Sequence, residues 1–316
     1  MRTPRAFDGS GADLASARET GPGPAGGELE GSEMMPRRAS RHYRPLGRPT
    51  VVVDQGQVIA AEADLPLLRE LGLDTLAGAL RFAAGTVVRD AGPRRTFRVR
   101  TSGGTLYVKV HRGLPRGGRW RLFGNNGSPA RREWDNIGAL RRAGFDMPEP
   151  VAVGERANAF GVPAESYLIT REVCGQPLDE LLREGWPDPH GRGPLAARQA
   201  VLQDVAGMIR RLHANGFFHK DCYCGHLIVA PDPRWGRPYL IDLARVEQRF
   251  PPRRRWLVKD LAALESSCGP NVSRSDKLRF LLIYLCKNRV DPLARRWARE
   301  ILAKSAHIRS HVPRYG

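Results

Sequence analysis

Two short segments decide how this chain is read: Phe217-Phe-His-Lys-Asp-Cys-Tyr-Cys-Gly-His-Leu-Ile-Val229 and, after a turn, Tyr239-Leu-Ile-Asp-Leu-Ala-Arg245. The β-type runs Leu227–Ala230 and Tyr239–Ile241 flank Pro231, Pro233 and Gly236, which predicts a hairpin. A polar cluster precedes the first strand and a lone Asp242 ends the second. The hairpin therefore carries Asp221, His226 and Asp242 to one mouth of a small sheet.

Working outward, Leu195–Ala214 places Val201, Leu202, Val205, Met208, Ile209 and Leu212 at helical spacing and stops at Asn215-Gly216. Downstream, Trp256–Leu264, Asp276–Cys286 and Leu293–Ala306 read as helices, with Ser273 set to cap the second. The front half is β-rich. Gly85–Arg89, Thr96–Thr101 and Thr105–His111 form an antiparallel meander through the turns Ala91–Arg95 and Ser102–Gly104. A helix over Pro129–Ala143 follows, with Gly144 as its stop, and Val151–Val153 and Tyr167–Thr170 complete a five-stranded sheet. Val51–Val53 and Gln57–Ala60 are short strand candidates, and Leu65–Leu80 is a helix weakened by Gly72 and Gly78. Cys174–Pro177 reads as a linker. The expectation is a bilobal α+β protein: a disordered tail over 1–45, a sheet lobe over 46–170 and a mostly helical lobe over 171–316.

The order of polar groups suits phosphoryl transfer, which asks a protein for positioning, charge neutralisation and a proton acceptor. Asp221 is the expected base. His226 and Asp242 are the expected magnesium ligands, Asp242 the firmer because magnesium prefers hard oxygen. Lys109, on a strand, would neutralise ATP phosphates and needs an acidic partner, for which Glu133 is the candidate. Arg94 and Arg95, with the Ala91–Arg95 turn, would cover the phosphates. Singly these residues have bland readings: a solvated lysine, a helix glutamate pairing with Arg131 or Arg132, an aspartate in a turn. Their succession along one chain is what favours the chemistry. Zinc at His219, Cys222, Cys224 and His226 is a rival, but the spacing is too tight for the usual paired ligands.

His219-Lys-Asp-Cys-Tyr-Cys-Gly-His226, Leu240-Ile-Asp-Leu-Ala-Arg245 and Arg253-Arg-Arg-Trp-Leu-Val-Lys-Asp-Leu-Ala-Ala-Leu264 resemble the bacterial lipopolysaccharide kinases of the Kdo/WaaP family. Arg94-Arg-Thr-Phe-Arg-Val99, Leu106-Tyr-Val-Lys109, Arg132-Glu-Trp134 and Ser273-Arg-Ser-Asp-Lys-Leu-Arg-Phe280 fit as well, so the resemblance spans about Val87–Leu285. It implies a protein-kinase-like fold and ATP-dependent phosphorylation of a heptose or Kdo hydroxyl in the lipopolysaccharide inner core, with magnesium. By resemblance Lys109 and Glu133 are the paired phosphate-binding residues, Asp221 is catalytic, and His226 with Asp242 is the metal pair. Lys220 stands where arginine is usual, and Ala244 where histidine is frequent. Residues 1–85 have no counterpart.

Composition bounds the partners. The net charge is +18, and 44 Lys/Arg against 27 Asp/Glu after residue 45 place +17 of it there. Such a surface favours anionic partners. A core–lipid A glycolipid acceptor and an anionic membrane face are expected, with no nucleic acid, because no recognition motif or aromatic-interleaved basic stretch is present. The basic stretches Arg112–Arg121 and Arg253–Arg255 would hold lipid or core phosphates, or serve as plain solvated runs. Five cysteines without a Cys-x-x-Cys suit free thiols in a reducing compartment. Met1–Thr20 is too polar for a signal peptide, and Phe280–Cys286 is far short of the ~20 residues a bilayer span needs. The expected location is cytoplasmic, with peripheral contact at the inner membrane face. Only ten residues separate Asp242 from Pro252, too few for a segment that docks peptides, which argues for a small or glycolipid acceptor. Phosphorylation of another small molecule or of a protein, and an inactive ATP-binding scaffold, stand as alternatives.

Overall fold

The computed structural model describes residues 48–113, 127–158, 163–184, 194–229 and 238–310. The expected tail, most of the Arg112–Arg121 stretch and the hairpin turn with Pro231, Pro233 and Gly236 lie outside these residues. The chain begins with β1 (Thr50–Val53) and β2 (Val58–Ala61), then two short helices, α1 (Leu65–Glu70) and α2 (Leu76–Arg81). The meander β3 (Thr86–Ala91), β4 (Arg94–Thr101) and β5 (Gly104–Arg112) leads to helix α3 (Pro129–Arg142), then β6 (Pro150–Ala157) and β7 (Pro163–Arg171). All these strands join one antiparallel sheet in the order β1-β2-β6-β7-β5-β4-β3.

The sheet has seven strands, two more than the five expected, because β2 adds to β6 through Val58↔Gly154 and Ile59↔Val153. Gly154 permits the approach: a Cβ there would lie 2.4 Å from Tyr167 Cε1 and 3.1 Å from Val58 Cγ2. The single helix expected over Leu65–Leu80 is broken at Gly72, whose φ of +66° belongs to the left-handed region that glycine enters without penalty.

Alternation with period two gives the sheet two different faces. Phe97, Val99, Leu106, Val108, Val110, Tyr167 and Ile169 pack with Leu68, Leu73 and Leu76 of the α1–α2 segment. Val153 and Leu168 face the other way and pack with Trp134, Ile137 and Leu140 of α3. Lys109 lies on that second face, in register with Leu168. Ser128 caps α3 by accepting from Arg131 N at 3.0 Å, Pro129 starts it, and Gly144 with φ +79° follows its end.

The second half contains β8 (Gln176–Pro177), α4 (Leu178–Glu184), α5 (Pro194–Ala214), β9 (Phe217–Phe218), β10 (Leu227–Val229), β11 (Pro238–Leu240), β12 (Glu247–Gln248), α6 (Arg254–Ser267), α7 (Arg274–Tyr284) and α8 (Pro292–Ser310). The hairpin forms in the register Leu227↔Leu240, Ile228↔Tyr239. The expected linker Cys174–Pro177 supplies it with a third strand, β8, through Ile228↔Pro177. Ser273 and Asp276 cap α7 reciprocally, as their spacing indicates. One apolar core runs from Val153 and Leu168 of the sheet through α3 to Leu240, Leu243 and Val246, and on to α4–α8.

Candidate active site

The catalytic candidates sit where β5, α3 and the β10–β11 hairpin meet. Lys109 Nζ donates to Glu133 Oε1 at 2.5 Å, and the two side chains are 14% and 3% exposed. The same Glu133 oxygen accepts the Leu243 amide at 3.4 Å, while Glu133 Oε2 is buried with no partner among the described residues. Three residues on, one turn along α3, Asn136 donates to the carbonyls of Leu243 at 2.7 Å and Val246 at 3.1 Å. Helix α3 thus holds both the sheet lysine and the backbone just after Asp242.

Asp242 has a left-handed backbone, φ 57° and ψ 57°, which re-aims its carboxylate as β11 ends. Arg94 grips both oxygens at 3.3 and 3.1 Å, Arg89 lies 4.0 Å away, and His226 Nε2 is 3.8 Å from Oδ2. Burial by itself would raise the Asp242 pKa, but Lys109 and Arg94, then His226, outweigh it and hold the carboxyl well below the usual range. His111 faces Arg94 across β4–β5. Burial, then the charges of Arg94 and Lys109, push its pKa down to about 3, so its ring is neutral at pH 7. Arg94 Nε and His111 Nε2 are buried and have no hydrogen-bond partner among the described residues. Arg95 is not part of this group. As the next residue along β4 it points to the opposite face and pairs with Asp90 at 2.7 Å, a correction that follows from strand alternation.

The catalytic-loop backbone is fixed from below. Asp260 of α6, fully buried, accepts the amides of His219 and Lys220, each at 2.7 Å, as a structural role for it requires. His213 reaches Asp260 at 3.3 Å and Tyr284 at 2.9 Å. Lys220 then takes a φ of +67°, which turns Asp221 outward. Both Asp221 oxygens are held by Arg245 Nη1, at 2.7 and 2.9 Å. The sequence contains no local sign of that contact, since the partners are 24 residues apart and on different elements. Asn136 was findable: it lies three positions beyond Glu133, on the same helical face.

His226 Nδ1 donates to the Asp221 carbonyl at 2.8 Å, so Nε2 is the ring nitrogen that faces Asp242. His226 and Asp242 are a two-ligand set, and no group of three or more His, Cys, Asp or Glu suited to a metal occurs among the described residues. Magnesium commonly takes one or two protein ligands and completes its shell with phosphate and water, so this donor set fits it. Zinc does not fit. Burial pushes the Cys224 thiol up to about 12 and Cys222 well above its ordinary value, so neither offers a thiolate.

Comparison with known proteins agrees with this geometry. The lipopolysaccharide kinase (Kdo/WaaP) family model matches residues 83–284. The lipopolysaccharide core heptose(I) kinase WaaP of Pseudomonas aeruginosa is 33% identical over 240 residues, covering 73% of this chain and 84% of that protein. The heptose(I) kinase WaaP of Escherichia coli is 30% identical over 210 residues, covering 63% of this chain and 77% of its own length. Among solved structures, WaaP in complex with acyl carrier protein superposes with a TM-score of 0.57 at 29% identity, over 80% of this chain and 96% of that one.

Proposed function

The chain belongs to the lipopolysaccharide kinase (Kdo/WaaP) family, and from that premise we propose that it transfers the γ-phosphate of ATP to a heptose hydroxyl of the lipopolysaccharide inner core. The observation that carries the reading is the tie from Lys109 to Glu133 to the amide of Leu243, which draws a sheet lysine and Asp242 to one cleft. Lys109 and Arg94 neutralise the nucleotide phosphates, and the unpartnered Arg94 Nε offers a further donor. Asp242 and His226 are the residues that hold magnesium, which when bound neutralises charge on the phosphates. Asp221 orients the acceptor hydroxyl and takes its proton once the exposed Arg245 side chain gives up its hold on the carboxylate.

Among the described residues no helix is long and apolar enough to cross a membrane. The reading places the protein in the cytoplasm, in peripheral contact with an anionic membrane face. Arg249, Arg253 and Phe250, all exposed and close in sequence, the last at 66%, support this. It also takes acyl carrier protein as a partner, as in the solved relative. A cavity of about 530 Å³ lined by Leu182, Val205, Leu264, Leu281 and Ile301 has the size and apolarity for an acyl chain, and co-purification of the carrier protein tests the partnership.

The decisive experiment is mass spectrometry of the lipid A–core from cells lacking the gene. Loss of one phosphate, restored by the wild type and not by Asp221→Asn, is the expected result. Turnover of the purified Asp221→Asn protein should fall about 10²–10⁴-fold. An unchanged phosphate count in the deletion strain overturns the acceptor assignment.

A further inference from the structure

Around Arg245 and the Trp256 ring, four cations gather. Arg245 holds Asp221, and Lys220 pairs with Glu247. The other two have no such partner: among the described residues, neither Arg255 nor Lys259 lies within ion-pair distance of a carboxylate. What they share is the Trp256 ring. Lys220 Nζ, Arg255 Cζ and Lys259 Nζ lie 4.8, 4.9 and 5.6 Å from its centroid. Arg255 and Lys259 are also four residues apart on α6, where like charges repel. Burial, then the charge of Arg245, lowers the Lys259 pKa, so its positive charge is held there at a disadvantage that an anion would relieve.

Nothing in the transfer of phosphate to a neutral hydroxyl calls for this second group of cations. On the reading above, the nucleotide phosphates are met by Lys109 and Arg94, which act on Asp242 and are not members of this group. The folded chain nevertheless keeps two cations with no carboxylate at ion-pair distance among the described residues, and the fields of Asp221 and Asp260 only partly offset the cost of burying Lys259.

We propose that Arg255 and Lys259, seated around the Trp256 ring, bind an anionic substituent of the acceptor, a carboxylate or a phosphate, carried close to the hydroxyl that is phosphorylated. This rests on the kinase reading above. It makes the two residues specificity determinants: a glycolipid with an acidic group near the hydroxyl is accepted, and its neutral counterpart is not. The ion pair orients the acceptor, so its loss appears mainly in acceptor KM.

The test is steady-state kinetics of the purified protein with lipopolysaccharide from cells lacking the gene. Lys259→Gln and Arg255→Gln should each raise the acceptor KM roughly tenfold or more, the worth of a charge-assisted hydrogen bond. The KM for ATP should not move, which also reports that the variants are folded. Lys259→Arg should recover most of the loss. Two modified acceptors identify the anion: one with carboxyl groups reduced to alcohols, one treated with phosphatase. The treatment that erases the difference between wild type and variants names the group. Variants with a wild-type acceptor KM, or a difference that survives both treatments, overturn the inference and leave the kinase assignment intact. A wild-type protein that transfers no phosphate to this acceptor brings down both.

Discussion

At Lys109 a single contact separates a surface lysine from a catalytic one. Its ammonium is held by Glu133, and that carboxylate also receives the Leu243 amide. Glu133→Gln keeps the amide's acceptor and removes only the charge that anchors Lys109. Its kcat/KM should drop about 10²-fold, the scale of an ångström-level misplacement, with little change in melting temperature. Asp242 supplies a pH test. Its folded pKa is depressed, so its contribution to stability is fully present above its ordinary value near ~4 and is lost as the pH falls further toward the folded value. Denaturant titrations should therefore show the stability difference between wild type and Asp242→Asn shrinking below about pH 4; a pH-independent difference would contradict the Arg94–Asp242 pairing. The Lys109–Glu133 contact was legible because strand and helix periodicity fixes where those two side chains point, whereas Asp221, His226 and Asp242, on irregular backbone, were singled out by their order along the chain. Arg245 on Asp221 and Arg94 gripping Asp242 were not, being contacts across 24 and 148 residues that no local pattern encodes.

Among the elements, α6 does the most. It presents Asp260 inward to the amides of His219 and Lys220 and carries Trp256 with Arg255 and Lys259 over its ring. Asp260→Ala would leave those two buried amides without an acceptor, and His213 with one partner fewer. Its destabilisation should reach about 3–5 kcal/mol by denaturant midpoint, far more than an ordinary surface change. The helices α5, α6 and α7 and the β10–β11 hairpin were readable from apolar spacing and capping residues. The strands β1, β2 and β8 were not placed, because their ladders depend on partners far along the chain. For β2 the deciding residue is Gly154, nearly a hundred positions later, whose missing side chain lets Tyr167 and Val58 close over it.

Over the whole molecule the cysteines report the packing. Cys222, Cys224 and Cys268 are buried, and Cys174 and Cys286 are exposed. Iodoacetamide near pH 8 should modify Cys174 and Cys286 in the native protein and reach Cys222 and Cys224 only after denaturation, as peptide mapping can check. The buried thiols contribute stability that is fully present below their ordinary pKa near 9 and is lost as the pH rises toward about 12, the value burial gives Cys224.

The apolar core that passes unbroken through α3 has a consequence for control. In a kinase governed by a swinging helix, activity waits for an outside event to bring lysine and glutamate together. Here Trp134, Ile137 and Leu140 anchor the equivalent helix on both sides, and Asn136 fastens it to the loop after Asp242. The Lys109–Glu133 pair is already formed in the folded chain, so no movement of this helix is needed to bring the two side chains together.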